Sequence, residues 1–180
     1  MEFTAAGILQ GVPFIPSPNF DERPADATID LIVVHGISLP PGEFGGDGVE
    51  QLFTNSLDYD AHPYFQTLRE IRVSAHFFVR RDGRCIQFVP CSKRAWHAGV
   101  SSWQGRERCN DFSIGIELEG SDEVPYEPAQ YESLSQLVAL LRREYPVREV
   151  VGHSDIAPGR KTDPGRSFDW TLLRSLLQSA

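Results

Sequence analysis

The chain is predicted to fold as an α/β protein of mixed α+β type, with a central mixed β-sheet of about five strands flanked by helices. Three observations predict this. Apolar, β-branched or alternating runs recur at residues 31–35, 75–80, 85–89, 112–120 and 149–151. Asp82-Gly83 joins the second and third of these into a hairpin, a strong short-range signal. At residues 128–145 and 170–177 the period changes from two to that of a helix. With no linker, repeat or low-complexity segment, residues 1–180 read as a single domain.

Residues 1–30 read as an irregular N-terminal arm, because Pro13, Pro16, Pro18 and Pro24 forbid long helices while Phe14, Ile15 and Phe20 let it pack. Leu31-Ile32-Val33-Val34-His35 is continuous enough to be a buried central strand with a histidine at its end. The long connection through residues 36–60 has the character of a site wall or lid. A short helix is expected near residues 49–53 and another after His62. Phe112, Ile114, Ile116 and Leu118 share one face of a strand, leaving Ser113, Gly115, Glu117 and Glu119 on the other. The small residues there are expected to clear a cleft in front of Glu117, although the pattern does not separate Glu117 from Glu119. Tyr131, Leu134, Leu137, Val138, Leu141 and Tyr145 form the apolar stripe of the first helix, with Gln130, Glu132, Arg142 and Arg143 on its solvated side.

Composition narrows the function classes. A net charge of −8 argues against nucleic acid or an anionic membrane surface as partner, while leaving room for a small anion at a local basic cluster. No apolar run is long enough to span a bilayer. Residues 1–13 lack the basic and apolar regions of a signal peptide. Cys85, Cys91 and Cys109 are odd in number and contain no CxxC pair, which fits reduced thiols in a cytoplasmic protein.

The chemistry concentrates at residues 149–165, where a β-branched run delivers His153 and a Pro/Gly-rich loop carries Lys161 and Asp163. His35 and His153 both end apolar strand runs. With Asp163 they make an imidazole–imidazole–carboxylate set suited to a catalytic zinc with an open fourth position. Glu117 is a candidate general base and Lys161 a candidate oxyanion stabiliser. If the segment is extended, Lys161 and Asp163 point the same way. Of the other histidines, His62 reads as structural or surface. Trp96 and His97 fit either a groove wall or the core.

Several motifs resemble the AmpD-type N-acetylmuramoyl-L-alanine amidases, within the wider group of zinc amidases and peptidoglycan recognition proteins. They include Val33-Val34-His35-Gly36-Ile37-Ser38-Leu39-Pro40-Pro41-Gly42-Glu43-Phe44-Gly45, Arg94-Ala95-Trp96-His97-Ala98-Gly99, Cys109-Asn110-Asp111-Phe112-Ser113-Ile114-Gly115-Ile116-Glu117-Leu118-Glu119-Gly120 and Ile156-Ala157-Pro158-Gly159-Arg160-Lys161-Thr162-Asp163-Pro164-Gly165. The resemblance covers nearly the whole chain. It implies a Zn2+ enzyme that cuts the amide between the lactyl group of muramic acid and L-alanine. The implied substrate is a soluble 1,6-anhydro-muropeptide of cytoplasmic peptidoglycan recycling, with a monomer the favoured assembly. It implies His35, His153 and Asp163 as metal ligands, and Glu117 rather than Glu119, with Lys161, as catalytic residues. Arg72, Trp96, His97 and Arg108 are implied at the substrate groove, and Arg72, Arg106 and Arg108 could pair with stem-peptide carboxylates. Gly36 and Ser154 depart from the family pattern, where asparagine and cysteine or asparagine are expected. The alternatives are a binding module that recognises muropeptides without cutting them, and an amidase of polymeric wall. The complete set His35, His153, Asp163, Glu117 and Lys161 weighs against the first.

Overall fold

The apolar run after the N-terminal arm becomes the centre of the sheet. In the computed structural model, which describes residues 1–179, the arm leads through β1 (Phe20–Glu22) into β2 (Leu31–Ile37). Helix α1 (Gly48–Phe53) and a 3₁₀ turn at Pro63–Leu68 follow, then the hairpin β3 (Phe77–Val79) and β4 (Cys85–Gln87). Next come β5 (Lys93–Ala95), β6 (Ser102–Trp103), β7 (Arg106–Glu107), a 3₁₀ turn at Cys109–Asp111 and β8 (Ser113–Glu119). The chain closes with α2 (Pro128–Glu144), β9 (Glu149–Gly152), α3 (His153–Ile156) and α4 (Trp170–Ser179).

The main sheet has five strands in the order β4-β3-β8-β2-β9. β2 lies between β8 and β9 and is parallel to both, β3 is parallel to β8, and only β4 runs antiparallel. This is the expected mixed sheet. Two small ribbons, β1–β5 and β6–β7, are additions that strands this short do not announce in sequence. The arm is otherwise irregular, tied down by bridges from Phe3 to Leu9 and from Phe14 to Gln87, with Leu9 buried.

Alternation along the strands decides which face carries chemistry. Ile32, Val34, Ile114, Ile116 and Leu118 enter one apolar cluster with Leu134, Val138 and Leu141 of α2 and Leu173 of α4. Leu31 and Val33 point the other way and pack with Ala98, Phe112, Val151 and Ile156. His35 continues that second face and is paired in register with Glu117 on the neighbouring strand. Helices α2 and α4 therefore fill one side of the sheet and leave the other to the site. Burying each large α2 side chain is worth about 1.5–3 kcal/mol.

Pro128 opens α2, where its missing N–H would have no partner within the helix. Gln130, however, is fully buried rather than solvated. Its Nε2 donates to the Glu119 carbonyl (3.0 Å) and its Oε1 accepts the Glu127 backbone N–H (3.0 Å). Periodicity alone puts any polar residue outside, but this one both caps the helix start and ties it to β8.

Candidate metal centre and active-site cavity

Three side chains converge where β2 and β9 run side by side. His35 lies within β2, two residues before its end, and His153 is the first residue of α3, immediately after β9. Asp163 comes from the following loop, anchored where its carbonyl accepts the Ser154 N–H (3.0 Å). His35 Nδ1 is 2.9 Å from His153 Nδ1, and Asp163 Oδ2 is 3.2 Å and 3.0 Å from the two nitrogens. The two imidazoles are buried and Asp163 is partly so; their potential ligand atoms all lie within 4.8 Å of one another. His153 donates Nε2–H to the Ala98 carbonyl (3.1 Å), which leaves Nδ1 as a lone pair aimed into the cluster. Burial pushes the His35 imidazole down to about 4, so it is neutral near pH 7. Burial would raise the Asp163 carboxyl, but its contacts with His153 and His35 outweigh that and hold it well below the usual range.

Glu117 sits beside this cluster with its Oε2 buried and unpartnered among the described residues. Burial, then repulsion from Asp163, push its carboxyl well above the usual range, with Lys161 acting in the opposite direction. A buried carboxylate oxygen without a donor is costly and uncommon. Among the described residues the Lys161 ammonium has no ion pair. Lys161, Asp163 and Glu117 all line one cavity of about 390 Å³, together with Ile37, Tyr64, Ile71 and Trp96. The two loop side chains thus face the same space, as their spacing suggests.

Glu119, two residues on and on the same face of β8, has a different environment. It is 4 % exposed, accepts the Gly45 N–H at 2.5 Å and the Arg81 N–H at 3.1 Å, and lies 3.7 Å from the Arg80 guanidinium. Arg80 in turn donates to the Gly46 carbonyl (2.7 Å) and pairs with Glu50. These contacts tie down the connection after β2.

The groove residues separate under the same scrutiny. Trp96 lines the cavity. His97 reaches the cavity wall but is 8 % exposed and has both ring nitrogens in contact with protein atoms, 2.9 Å from His35 Nε2 and 3.2 Å from Ser113 Oγ. Arg72 is exposed outside the lining, donating to the Arg69 and Ile71 carbonyls, although its neighbours Ile71 and Val73 line it. Arg108 borders an adjoining cavity of about 510 Å³ with Arg160 and pairs with Asp111 at 3.3 Å. Arg106 is held by Asp30 through two contacts (2.9 and 3.1 Å) and stacks on Phe112, so it is not a free partner for substrate carboxylates. The expected clearing in front of Glu117 is also revised: a β-carbon at Gly115 would overlap the His97 ring, so the space is filled. Gly36, the first departure from the family pattern, is likewise closed over by Tyr126, whose hydroxyl donates to the Pro164 carbonyl (2.9 Å). His76 is fully buried. Its Nδ1 accepts the Gly115 N–H and its Nε2 contacts the Lys93 carbonyl, both at 3.0 Å, which makes it a structural histidine.

A five-stranded mixed sheet that gathers two imidazoles and a carboxylate into one cluster, with an unpartnered glutamate beside it, defines a hydrolase with a candidate metal centre. The chain belongs to the N-acetylmuramoyl-L-alanine amidase family, whose model matches residues 25–166. It is 56 % identical over 173 residues to the 1,6-anhydro-N-acetylmuramyl-L-alanine amidase AmpD of Escherichia coli K12, covering 95 % of this chain and 94 % of that one. Against AmpD of Citrobacter freundii it is 58 % identical over 165 residues, covering 91 % and 88 %. The crystal structure of a selenomethionine AmpD derivative superposes with a TM-score of 0.94 at 56 % identity, covering 98 % of this chain and 99 % of that one. The amidase AmiD of E. coli, solved in complex with its substrate anhydro-N-acetylmuramic acid-L-Ala-D-gamma-Glu-L-Lys, superposes at 0.60 with 32 % identity, covering 88 % and 65 %.

Proposed function

We propose that this chain is a zinc-dependent amidase that hydrolyses the amide between the lactyl group of 1,6-anhydro-N-acetylmuramic acid and the L-alanine of muropeptides, in cytoplasmic peptidoglycan recycling. The observation that carries the reading is the convergence of His35, His153 and Asp163 beside the unpartnered Glu117 carboxylate. Two nitrogens and one carboxylate oxygen are a donor set that zinc accepts in catalytic sites. The orphaned Glu117 oxygen marks where water would complete the site's hydrogen bonding. His35, His153 and Asp163 are the residues that would hold the ion. Bound there, zinc supplies Lewis-acid polarisation of the scissile carbonyl and lowers the pKa of water.

The chain's own groups account for the remaining chemistry. Glu117, made more basic by burial and by Asp163, takes a proton from the attacking water and returns it to the departing L-alanine amine. The C–N bond breaks to leave a lactyl carboxylate and a free amino group. Lys161 faces the same cavity and stabilises the oxyanion that develops on the carbonyl oxygen. Trp96, Tyr64 and Ile71 offer an apolar wall to the anhydro-sugar, while Arg108 on the adjoining rim would meet stem-peptide carboxylates. Arg72 reaches substrate only by giving up its carbonyl contacts. The anhydro-muropeptide class follows from the AmpD relatives. The three unpaired cysteines fit the cytoplasm, and no helix among the described residues is long and apolar enough to cross a membrane.

The test is incubation of zinc-replete protein with anhydro-muropeptide and, separately, with intact sacculi. Free stem peptide and anhydro-muramic acid from the first are expected. Failure to cleave it would overturn the reading, and faster release from sacculi would move the substrate to polymeric wall.

A further inference from the structure

The dipeptide His97-Ala98 touches both candidate ligand histidines from behind. Ala98 accepts His153 Nε2–H through its carbonyl (3.1 Å). His97 places Nδ1 2.9 Å from His35 Nε2 and its own Nε2 3.2 Å from Ser113 Oγ. The polarity of this chain is readable from its far end. The Ser113 hydroxyl proton is committed to the Cys109 carbonyl at 2.6 Å, so Ser113 Oγ accepts, and His97 carries its proton on Nε2. A neutral imidazole has one N–H, so His97 Nδ1 is the acceptor and His35 donates Nε2–H to it. His35 Nδ1 is then left with its lone pair facing His153 and Asp163.

The dipeptide is itself held. Asn110 Oδ1 accepts both backbone N–H groups, from His97 at 3.2 Å and from Ala98 at 2.8 Å. Gly115 supplies the room for the imidazole, since any β-carbon there would overlap the ring. Ser113 and Gly115 therefore serve the mount behind His35.

We propose that His97 is a positioning residue of the metal centre. It locks His35 in the tautomer and ring orientation that turn Nδ1 to the ion, while Ala98 does the same for His153 and Asn110 clamps the pair. Partners of this kind on the free ring nitrogen of a ligand histidine fix its tautomer and raise its basicity. The inference rests on the zinc reading above and differs from a substrate-groove role for His97.

The experiment has a spectroscopic arm and an affinity arm. In ¹⁵N-labelled, zinc-loaded wild-type protein, the His35 Nε2 proton is expected in slow exchange, with a scalar correlation across the hydrogen bond to His97 Nδ1. A proton on His97 Nδ1 would overturn the proposal without any variant needing to fold. In chelator competition, His97→Ala is expected to weaken zinc binding ~10- to 100-fold. His97→Asn, whose Oδ1 falls near the lost Nδ1, should recover most of that loss. Equal loss in both variants, or unchanged zinc affinity with only a raised KM, would defeat the positioning role. Absence of zinc binding by the wild-type protein would instead count against the zinc reading itself.

Discussion

Glu117 and Glu119 are the same residue type, on the same face of one strand, two positions apart. Glu119 is buried among two backbone N–H donors and a guanidinium, and its role is to hold the connection after β2. Glu117 is buried next to another carboxylate with one oxygen unpartnered. The first arrangement stabilises the fold. The second costs stability and leaves a carboxyl group whose pKa is raised well above the usual range. Burial by itself does not distinguish a structural acid from a reactive one; the inventory of donors around it does.

The largest expected effect comes from removing the charged neighbour of Glu117. Asp163→Ala takes away both a candidate metal donor and that negative charge. Bound zinc, measured by elemental analysis, and amidase activity should both be lost, as in His35→Ala and His153→Ala. Stoichiometric zinc retained in any of the three would contradict the ligand assignment. Glu117→Gln should keep zinc and lose activity by roughly 10²–10⁴-fold, and its thermal midpoint should be unchanged or higher, because a desolvated charge has been removed. A clear drop in midpoint would mean that Glu117 has partners in solution.

Glu119→Gln should show the reverse pattern. Two backbone donors lose their ionised acceptor, costing about 1–3 kcal/mol in denaturant unfolding, while kcat falls far less than in the Glu117 variant. Comparable losses of activity would erase the distinction between the two acids.

The smallest effect on activity concerns His76, a buried group pushed the other way from Glu117. Burial first, then Arg23, lower its imidazole to about 3 from the ordinary 6.5. Below pH 6.5 the unfolded chain binds a proton that the folded one refuses, so stability falls as pH drops from about 6.5 toward 3. The slope from this one group is at most ~1.4 kcal/mol per pH unit. Unfolding free energies of His76→Gln and wild type, compared across that window, should converge toward acid. Parallel curves would place the proton elsewhere.

The sheet was legible because β2, β8 and β9 carry continuous or alternating apolar runs, and the hairpin because Asp82-Gly83 permits little else. The candidate ligand histidines were visible as histidines at the ends of apolar runs, yet nothing in their spacing said that β2 would lie beside β9; the family resemblance supplied that neighbour. What stayed hidden were side chains with long-range polar partners. Gln130 looks like a surface residue until its contacts with Glu119 and Glu127 are seen. Arg106 looks available until Asp30 is found beside it. Gly115 looks like empty space, whereas it accommodates the ring of His97, eighteen positions earlier. Such partners are set by tertiary proximity, which a local pattern does not encode.

The parallel pairing of β2 with β9 has a consequence for how the protein reaches its native state. It joins residues 31–34 to 149–152, and His35 and His153 are 118 positions apart in the chain. Contacts of such high sequence separation form slowly, since a long loop must close before they give any return. Any chain cut before β9 contains one of the three candidate donors, and a nascent chain has no complete cluster until its last third has emerged. An ion held by these three residues would therefore be captured late in folding, as a seal on a finished sheet rather than a nucleus around which the sheet grows.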